Sequence, residues 1–162
     1  MNPTRRHALA AIAGVAATSL TRSQAQKPGT DGNKFRTSIH YELDFHASPQ
    51  LFYQTILDQK LFAAFTGMAA TIDSAPGGAF SMFGSMIAGR NIELIQSQRI
   101  VQAWRPTHWD PGVYSVVHFE LAPRDSGTAL DFHHTGFPQG DYDSLDDGWH
   151  SHYWDPLKKF FA

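Results

Sequence analysis

Gly77-Gly78-Ala79-Phe80-Ser81-Met82-Phe83-Gly84-Ser85-Met86-Ile87-Ala88-Gly89-Arg90 opens the part of the chain that decides its fold. It continues as Arg99-Ile100-Val101-Gln102-Ala103-Trp104-Arg105, then as Tyr114-Ser115-Val116-Val117-His118-Phe119-Glu120-Leu121. Thr128-Ala129-Leu130-Asp131-Phe132-His133-His134-Thr135-Gly136-Phe137-Pro138 follows, and Gly148-Trp149 and Tyr153-Trp154-Asp155-Pro156-Leu157 close it. Glycine pairs and prolines punctuate short apolar runs, which is how successive antiparallel strands read. Gly77-Gly78 is a turn into a strand over Ala79–Phe83, and Gly84-Ser85 leads into Met86–Ile95. Strands over Arg99–Arg105, Tyr114–Leu121 and Thr128–Thr135 come next, the last two joined by a hairpin over Pro123–Gly127. Pro106–Gly112 interrupts the sheet as a loop carrying His108 and Trp109. The acidic run Asp141–Asp147 sits where a helix N-terminus favours negative charge. Leu145, Trp149, His152 or Tyr153, Pro156 and Phe160 then recur at helical spacing, with Pro156 expected to kink the helix or start a new turn.

Working outward, Phe35, Thr37, Ile39, Tyr41, Leu43 and Phe45 alternate with Arg36, Ser38, His40, Glu42 and Asp44, a strand with one buried and one wet face. Ser48-Pro49 is a helix start, Ser as N-cap and Pro where its missing N–H costs nothing. Leu51, Phe52, Thr55 and Ile56 continue that helix, and a second one covers Lys60–Phe65 and stops at Gly67. A strand, two short helices, a run of antiparallel strands and a long final helix make an α+β order.

In order and spacing, Gly77–Phe80, Ile87–Leu94, Arg99–Arg105, Tyr114–Val117, Gly127–Leu130, His134–Pro138, Gly148-Trp149 and Tyr153–Leu157 resemble START-like SRPBCC domains. The resemblance is to the sort found in the C-terminal half of the activator of the 90-kDa heat-shock protein ATPase, and it covers roughly residues 34–162. It implies a helix-grip fold, in which a curved antiparallel sheet wraps a long C-terminal helix and leaves an internal cavity. The family spans unrelated activities, so the fold alone names no function.

The ends and the charge narrow the classes. Arg5-Arg6 opens a basic region, an apolar stretch of about 13 residues runs from Ala8 to Leu20, and Ser23-Gln24-Ala25 offers the small residues a signal peptidase reads. Residues 1–25 are therefore expected to be a twin-arginine-type export signal, although Ala8 stands where that motif usually carries Phe. The apolar stretch is too short to cross a bilayer comfortably. Residues 26–33, with Pro28, Gly29 and Gly32, read as a flexible linker, and 34–162 as one domain. Export would make the protein periplasmic or secreted. A chain beginning at Gln26 holds ten Lys/Arg against fifteen Asp/Glu, a formal charge of about −5 with no basic stripe. Nucleic-acid binding has no electrostatic footing there. The absence of cysteine removes disulfides, thiolate chemistry and Cys-based zinc sites together.

Histidine is the unusual reactive resource, nine in all. In the final hairpin, strand parity turns Val117, Phe119 and Leu121 inward and His118 and Glu120 outward. It likewise turns Leu130, Phe132 and His134 inward and Asp131 and His133 outward. His118 and Asp131 are then expected to pair across the wet face. His134 faces the cavity, as a ligand's hydrogen-bond partner, as a general base, or as a buried histidine with structural partners. His150 and His152 point about 200° apart on a helix, and His133 and His134 lie on opposite strand faces, so no metal site is expected. No Gly-X-Ser-X-Gly elbow and no phosphate loop is present. Arg105 reads as a buried or rim cation, with Glu93 or Asp73 as partner.

The aromatic residues mostly build a core, but a cavity lined by aromatic faces suits a flat or apolar molecule. The expected reading is a binding protein for a hydrophobic or aromatic small molecule, without cofactor. Trp104, Tyr114, Phe119, Phe132, His134, Trp149 and Tyr153 are its candidate ligand residues. A cyclase- or hydrolase-type enzyme with His134 as base is the alternative, and a chaperone-ATPase-activating interaction module is the second. No nucleophile, base and acid visibly converge, which makes a non-enzyme the better expectation. Export would put a cytosolic chaperone out of reach.

Overall fold

A computed structural model describes residues 30–162. The export signal expected over residues 1–25 and the first part of the linker lie outside the described residues. The linker ends sooner than the composition suggests, because Thr30–Phe35 forms a 3₁₀ helix. Asn33 Nδ2 donates to Asp143 at 2.9 Å, and the Arg36 guanidinium lies 4.0 Å from the centre of the Tyr142 ring. Phe35, expected inside the first strand, is exposed in this turn.

Strand β1 (Ser38–Phe45) leads to helices α1 (Pro49–Leu57) and α2 (Gln59–Thr66). Ser48 caps α1 by accepting from the Leu51 N–H, and Asp58 caps α2 by accepting from the Lys60 and Leu61 N–H groups. Both caps satisfy donors that no carbonyl inside the helix can reach. Gly67 ends α2 at φ 69°, a conformation glycine adopts without strain. Then come β2 (Thr71–Ile72), β3 (Ala79–Met82), β4 (Ile87–Ile95), β5 (Arg99–Pro106), β6 (Ser115–Arg124) and β7 (Gly127–Thr135). They form one antiparallel sheet in the order β1-β7-β6-β5-β4-β3-β2. The two-residue β2 has no period for a sequence pattern to show.

A bulge between Asn91 and Glu93 leaves Ile92 unpaired with β5 and pushes it into solvent. Bulges add local twist and bend, and this one helps the sheet curl. Gly89 also permits the curl: a Cβ there would stand 2.1 Å from the Ala103 carbonyl oxygen and 2.3 Å from the Phe80 ring. The hairpin joining β6 and β7 is tighter than expected, with Pro123 and Arg124 inside β6 and the turn at Asp125-Ser126. Proline is tolerated there because pairing with β5 has already ended at Glu120.

The C-terminal helix fills the curl. It runs as α3 (Tyr142–Trp149), a π turn (His150–Trp154) and α4 (Asp155–Phe160). The buried positions are Leu145, Trp149, Tyr153, Leu157 and Phe161, spaced by four throughout, with Trp154 beside them. On an unbroken α-helix that spacing drifts about 40° per step and would turn off the sheet. The π turn takes up the drift, its Asp155 N–H reaching back five residues to the His150 carbonyl. It also corrects the expected face: Phe160 is exposed and Phe161 is buried. Pro156 does start a new turn, in the first residues of α4.

The core has one continuous aromatic seam. Trp154, fully buried, packs edge-on to Phe132 at 4.8 Å and stacks on Trp149 at 5.4 Å. Phe132 meets Trp149 at 4.5 Å and Phe119 at 5.1 Å. The strand parity read from sequence holds: Val117, Phe119, Leu121, Leu130, Phe132 and His134 are buried.

Candidate functional site

The inner face carries a hydrogen-bonded chain through His134. The Trp149 indole N–H donates to His134 Nδ1 at 2.9 Å. Nε2 therefore holds the proton and donates to Ser115 Oγ at 2.7 Å, and the Ser115 hydroxyl donates to the Trp104 carbonyl at 3.0 Å. This chain ties β5, β6, β7 and α3 together, and every donor and acceptor role in it is assigned. Burial pushes the imidazole pKa down to about 3. The Trp149 donor works the same way, since a proton on Nδ1 would face an N–H instead of accepting from it. His134 is thus held neutral, with both ring nitrogens engaged by the protein.

Beside this seam lies a cleft of about 240 Å³, between α3, the π turn and the β3–β5 half of the sheet. Phe83, Met86, Ile87, Trp104 and Pro106 wall one side, and Leu145, Gly148, Trp149 and Tyr153 the other. His108, Ser144 and His152 also line it and supply its polar side chains. Two larger depressions differ in kind. One of about 510 Å³ lies among Glu42, Asp44, Glu120, Arg124 and Asp131, and one of about 630 Å³ lies beside Lys159 and Phe160. The first has no aromatic side chain in its lining, and the second sets Phe65 and Phe160 among Ser151, Asp155 and Lys159, without the several facing aromatic walls of the smaller cleft.

Three features distinguish the residues lining the cleft. Trp104 is buried, and its indole N–H has no hydrogen-bond acceptor. That N–H sits beside the Tyr153 oxygen without hydrogen-bonding geometry and stabilises its anion, while burial, the larger effect, raises the phenol's pKa. The Tyr153 hydroxyl donates to the Met82 sulfur, at 3.6 Å. Most important, a Cβ built on Gly148 would meet nothing within 4 Å. Glycine inside a helix is about 1 kcal/mol worse than alanine, and here no close contact requires it.

Of the candidate ligand residues, Trp104, Trp149 and Tyr153 line the cleft. His134, Phe119 and Phe132 do not: all three are fully buried behind it in the seam. Tyr114 lies outside, half-exposed, with the Arg105 guanidinium 5.8 Å from its ring centre. Arg105 donates to the Trp109 carbonyl at 3.1 Å and takes neither expected carboxylate. Glu93 pairs with Arg99, and Asp73 accepts from the Ala75 N–H in a turn. Trp109, read as a loop residue, is buried and donates its indole N–H to Asp141. Sequence reasoning missed Phe83, Met86, Ile87, His108, Gly148 and His152 as cleft residues; Gly148, a glycine inside a helical pattern, was the available signal.

A seven-stranded antiparallel sheet curled around a C-terminal helix is the α+β helix-grip fold of START-like SRPBCC domains. Residues 46–162 match the family model described as activator of Hsp90 ATPase homolog 1-like protein, and the chain belongs to that family. An uncharacterised protein of Schizosaccharomyces pombe is 30% identical over 147 residues, which cover 88% of this chain and 44% of that protein. The human activator of 90 kDa heat shock protein ATPase homolog 1 is 27% identical over 118 residues, 73% of this chain and 35% of that one. The chain thus spans less than half the length of these curated relatives. Among solved structures, an HSP90 activator from Plasmodium falciparum superposes with a TM-score of 0.73 at 22% identity, over 77% of this chain and 96% of that one.

Proposed function

We propose that this protein is an exported START-like binding protein whose α3–β5 cleft holds one small apolar or aromatic molecule. The carrying observation is Gly148, a helix-interior glycine with open space where its side chain would go, facing aromatic walls. The predominantly apolar and aromatic walls select for shape and apolar surface, with His108, Ser144 and His152 able to meet a polar group at the rim. A volume of about 240 Å³ suits a molecule of two or three rings. Among the described residues, no helix is long and apolar enough to cross a membrane.

The test uses the fluorescent probe 8-anilinonaphthalene-1-sulfonate and energy transfer from Trp104 and Trp149. Wild type should bind it, and Gly148→Leu should fill the cleft and weaken binding about tenfold or more while keeping the melting temperature. Equal binding by the variant would reject the cleft as the site. Protein recovered from outside the cytoplasm should begin at Gln26; recovery only from the cytosol would reject export.

The relatives' names favour a second reading, an interaction module that acts on a chaperone ATPase. Stimulation of a 90-kDa heat-shock ATPase by the purified chain, undiminished in Gly148→Leu, would favour it over the cleft. Catalysis with His134 as base gains no support from the geometry, because that imidazole is engaged at both nitrogens and lies outside the cleft.

A further inference from the structure

The outer face of the sheet carries a second concentration of histidine that spacing along the chain does not reveal. His40 on β1, His133 on β7 and His118 on β6 stand directly opposite one another on three adjacent strands. This corrects the expected His118–Asp131 pair by one outward-facing position: His118 faces His133, while Asp131 lies opposite Glu42 and Glu120. Asp131 turns toward the histidine row instead. Its Oδ1 sits 2.7 Å from His40 Nε2 and 3.0 Å from His133 Nε2. The two rings stack at 4.3 Å with their planes 6° apart, so both present the same nitrogen to one point.

We propose that His40 Nε2, His133 Nε2 and Asp131 Oδ1 form a binding site for a divalent late transition-metal ion of the zinc or copper class. The three atoms lie within 4.8 Å of one another, and the side chains are 50%, 42% and 51% exposed, so an ion can reach all of them from solvent. Around a tetrahedral ion with bonds of about 2.0–2.1 Å, neighbouring ligand atoms stand about 3.3 Å apart. The present spacings of 2.7 and 3.0 Å must open by about 0.6 and 0.3 Å to reach that distance. The two stacked rings must also turn out of parallel so that their in-plane lone pairs converge on one ion, a rotation that half-exposed side chains can make. Ligation through Nε2 requires each ring in its Nδ1–H tautomer: the proton now directed from Nε2 at the carboxylate moves to Nδ1 through solvent, so each imidazole is neutral and gives its Nε2 lone pair to the ion. Two imidazoles and a carboxylate select zinc, copper or nickel over calcium and magnesium, which prefer all-oxygen shells. Glu42, beside Asp131 in register, adds negative charge; Glu120 on the other side is neutralised by Arg99 at 2.6 Å. The fourth position is left to water or to His118.

Tag-free full-length protein, freed of metal by chelation and dialysis, is titrated with zinc chloride by calorimetry and with copper(II) chloride by electron paramagnetic resonance. One ion per chain is expected, with nitrogen hyperfine structure from two imidazoles. His40→Ala combined with His133→Ala should weaken zinc binding at least about tenfold, and Asp131→Asn should weaken it while leaving both rings in place. His46→Asn with His150→Asn should bind as wild type does, and circular dichroism melts establish that each variant is folded. Failure of wild type to bind zinc at one equivalent would overturn the site. So would a folded His40/His133 double variant that binds like wild type.

Discussion

One helix meets two halves of one sheet in opposite ways. Over β1, β6 and β7 it presents Trp149 and Trp154, and the gap closes completely: Phe132 touches both rings, and Phe119 and Trp154 are fully buried. Over β3 to β5 the same helix presents Gly148, and a cleft remains. The neighbours 148 and 149 thus give up packing on one side and concentrate it on the other. Stability and binding space are allotted to adjacent residues, so substitutions at each should separate the two properties.

The largest effect should come from the closed half. Trp149→Ala removes a nearly fully buried indole and the donor to His134 Nδ1, and should cost about 3–5 kcal/mol, much of a small domain's stability. Urea unfolding with a constant slope measures it. A loss below about 1 kcal/mol would mean that the ring acts mainly as a cleft wall and that the two halves do not differ as described.

His134 sharpens the contrast through pH. His134→Gln keeps a donor and an acceptor but rearranges the chain to Ser115 and Trp149, and should cost about 1–3 kcal/mol near pH 7.5. The folded pKa of about 3 lies below the unfolded value near 6.5, so the unfolded state binds the extra proton between them. The stability from this group is therefore complete above about pH 6.5 and is lost as pH falls toward 3, by at most about 1.4 kcal/mol per unit. The gap between wild type and His134→Gln should narrow over that range in denaturant melts taken from pH 7 to 4. A gap independent of pH would show that the imidazole takes up a proton in the folded state at its ordinary pKa.

The closed half was the legible one. The period of two in β6 and β7 named Val117, Phe119, Leu121, Leu130, Phe132 and His134 as inward, because parity is local and a buried face enforces it. Ser48, Pro49 and Gly67 were readable for the same reason: caps and chain reversals depend on a few adjacent residues. The cleft was not, since its rim joins Phe83 and Met86, within a turn, to His108 in a loop and His152 on a π turn. A π turn leaves no propensity signal; only the sustained spacing of four from Leu145 to Phe161 betrays it. The row of His40, His133 and His118 was hidden differently. It depends on the register between β1 and β7, strands that are about ninety residues apart in the chain, and no local pattern fixes that offset.

The smallest effect should come from the open half, and its sign is what matters. Gly148→Ala adds one methyl group where no atom lies within 4 Å, so it meets no steric resistance. It also removes the entropic penalty of a glycine inside a helix. The variant should therefore be more stable than wild type by about 0.5–1 kcal/mol, seen as a higher urea midpoint with the slope unchanged. A methyl group fills only a small part of about 240 Å³, so the variant should still bind the naphthalene probe, more weakly than wild type but more tightly than Gly148→Leu. Stability rising while affinity falls would show that this glycine holds space open at the expense of the helix. If Gly148→Ala instead destabilises the protein, the helix must come closer to the sheet in solution than it does here, and the difference between the two halves shrinks to a difference in side-chain size.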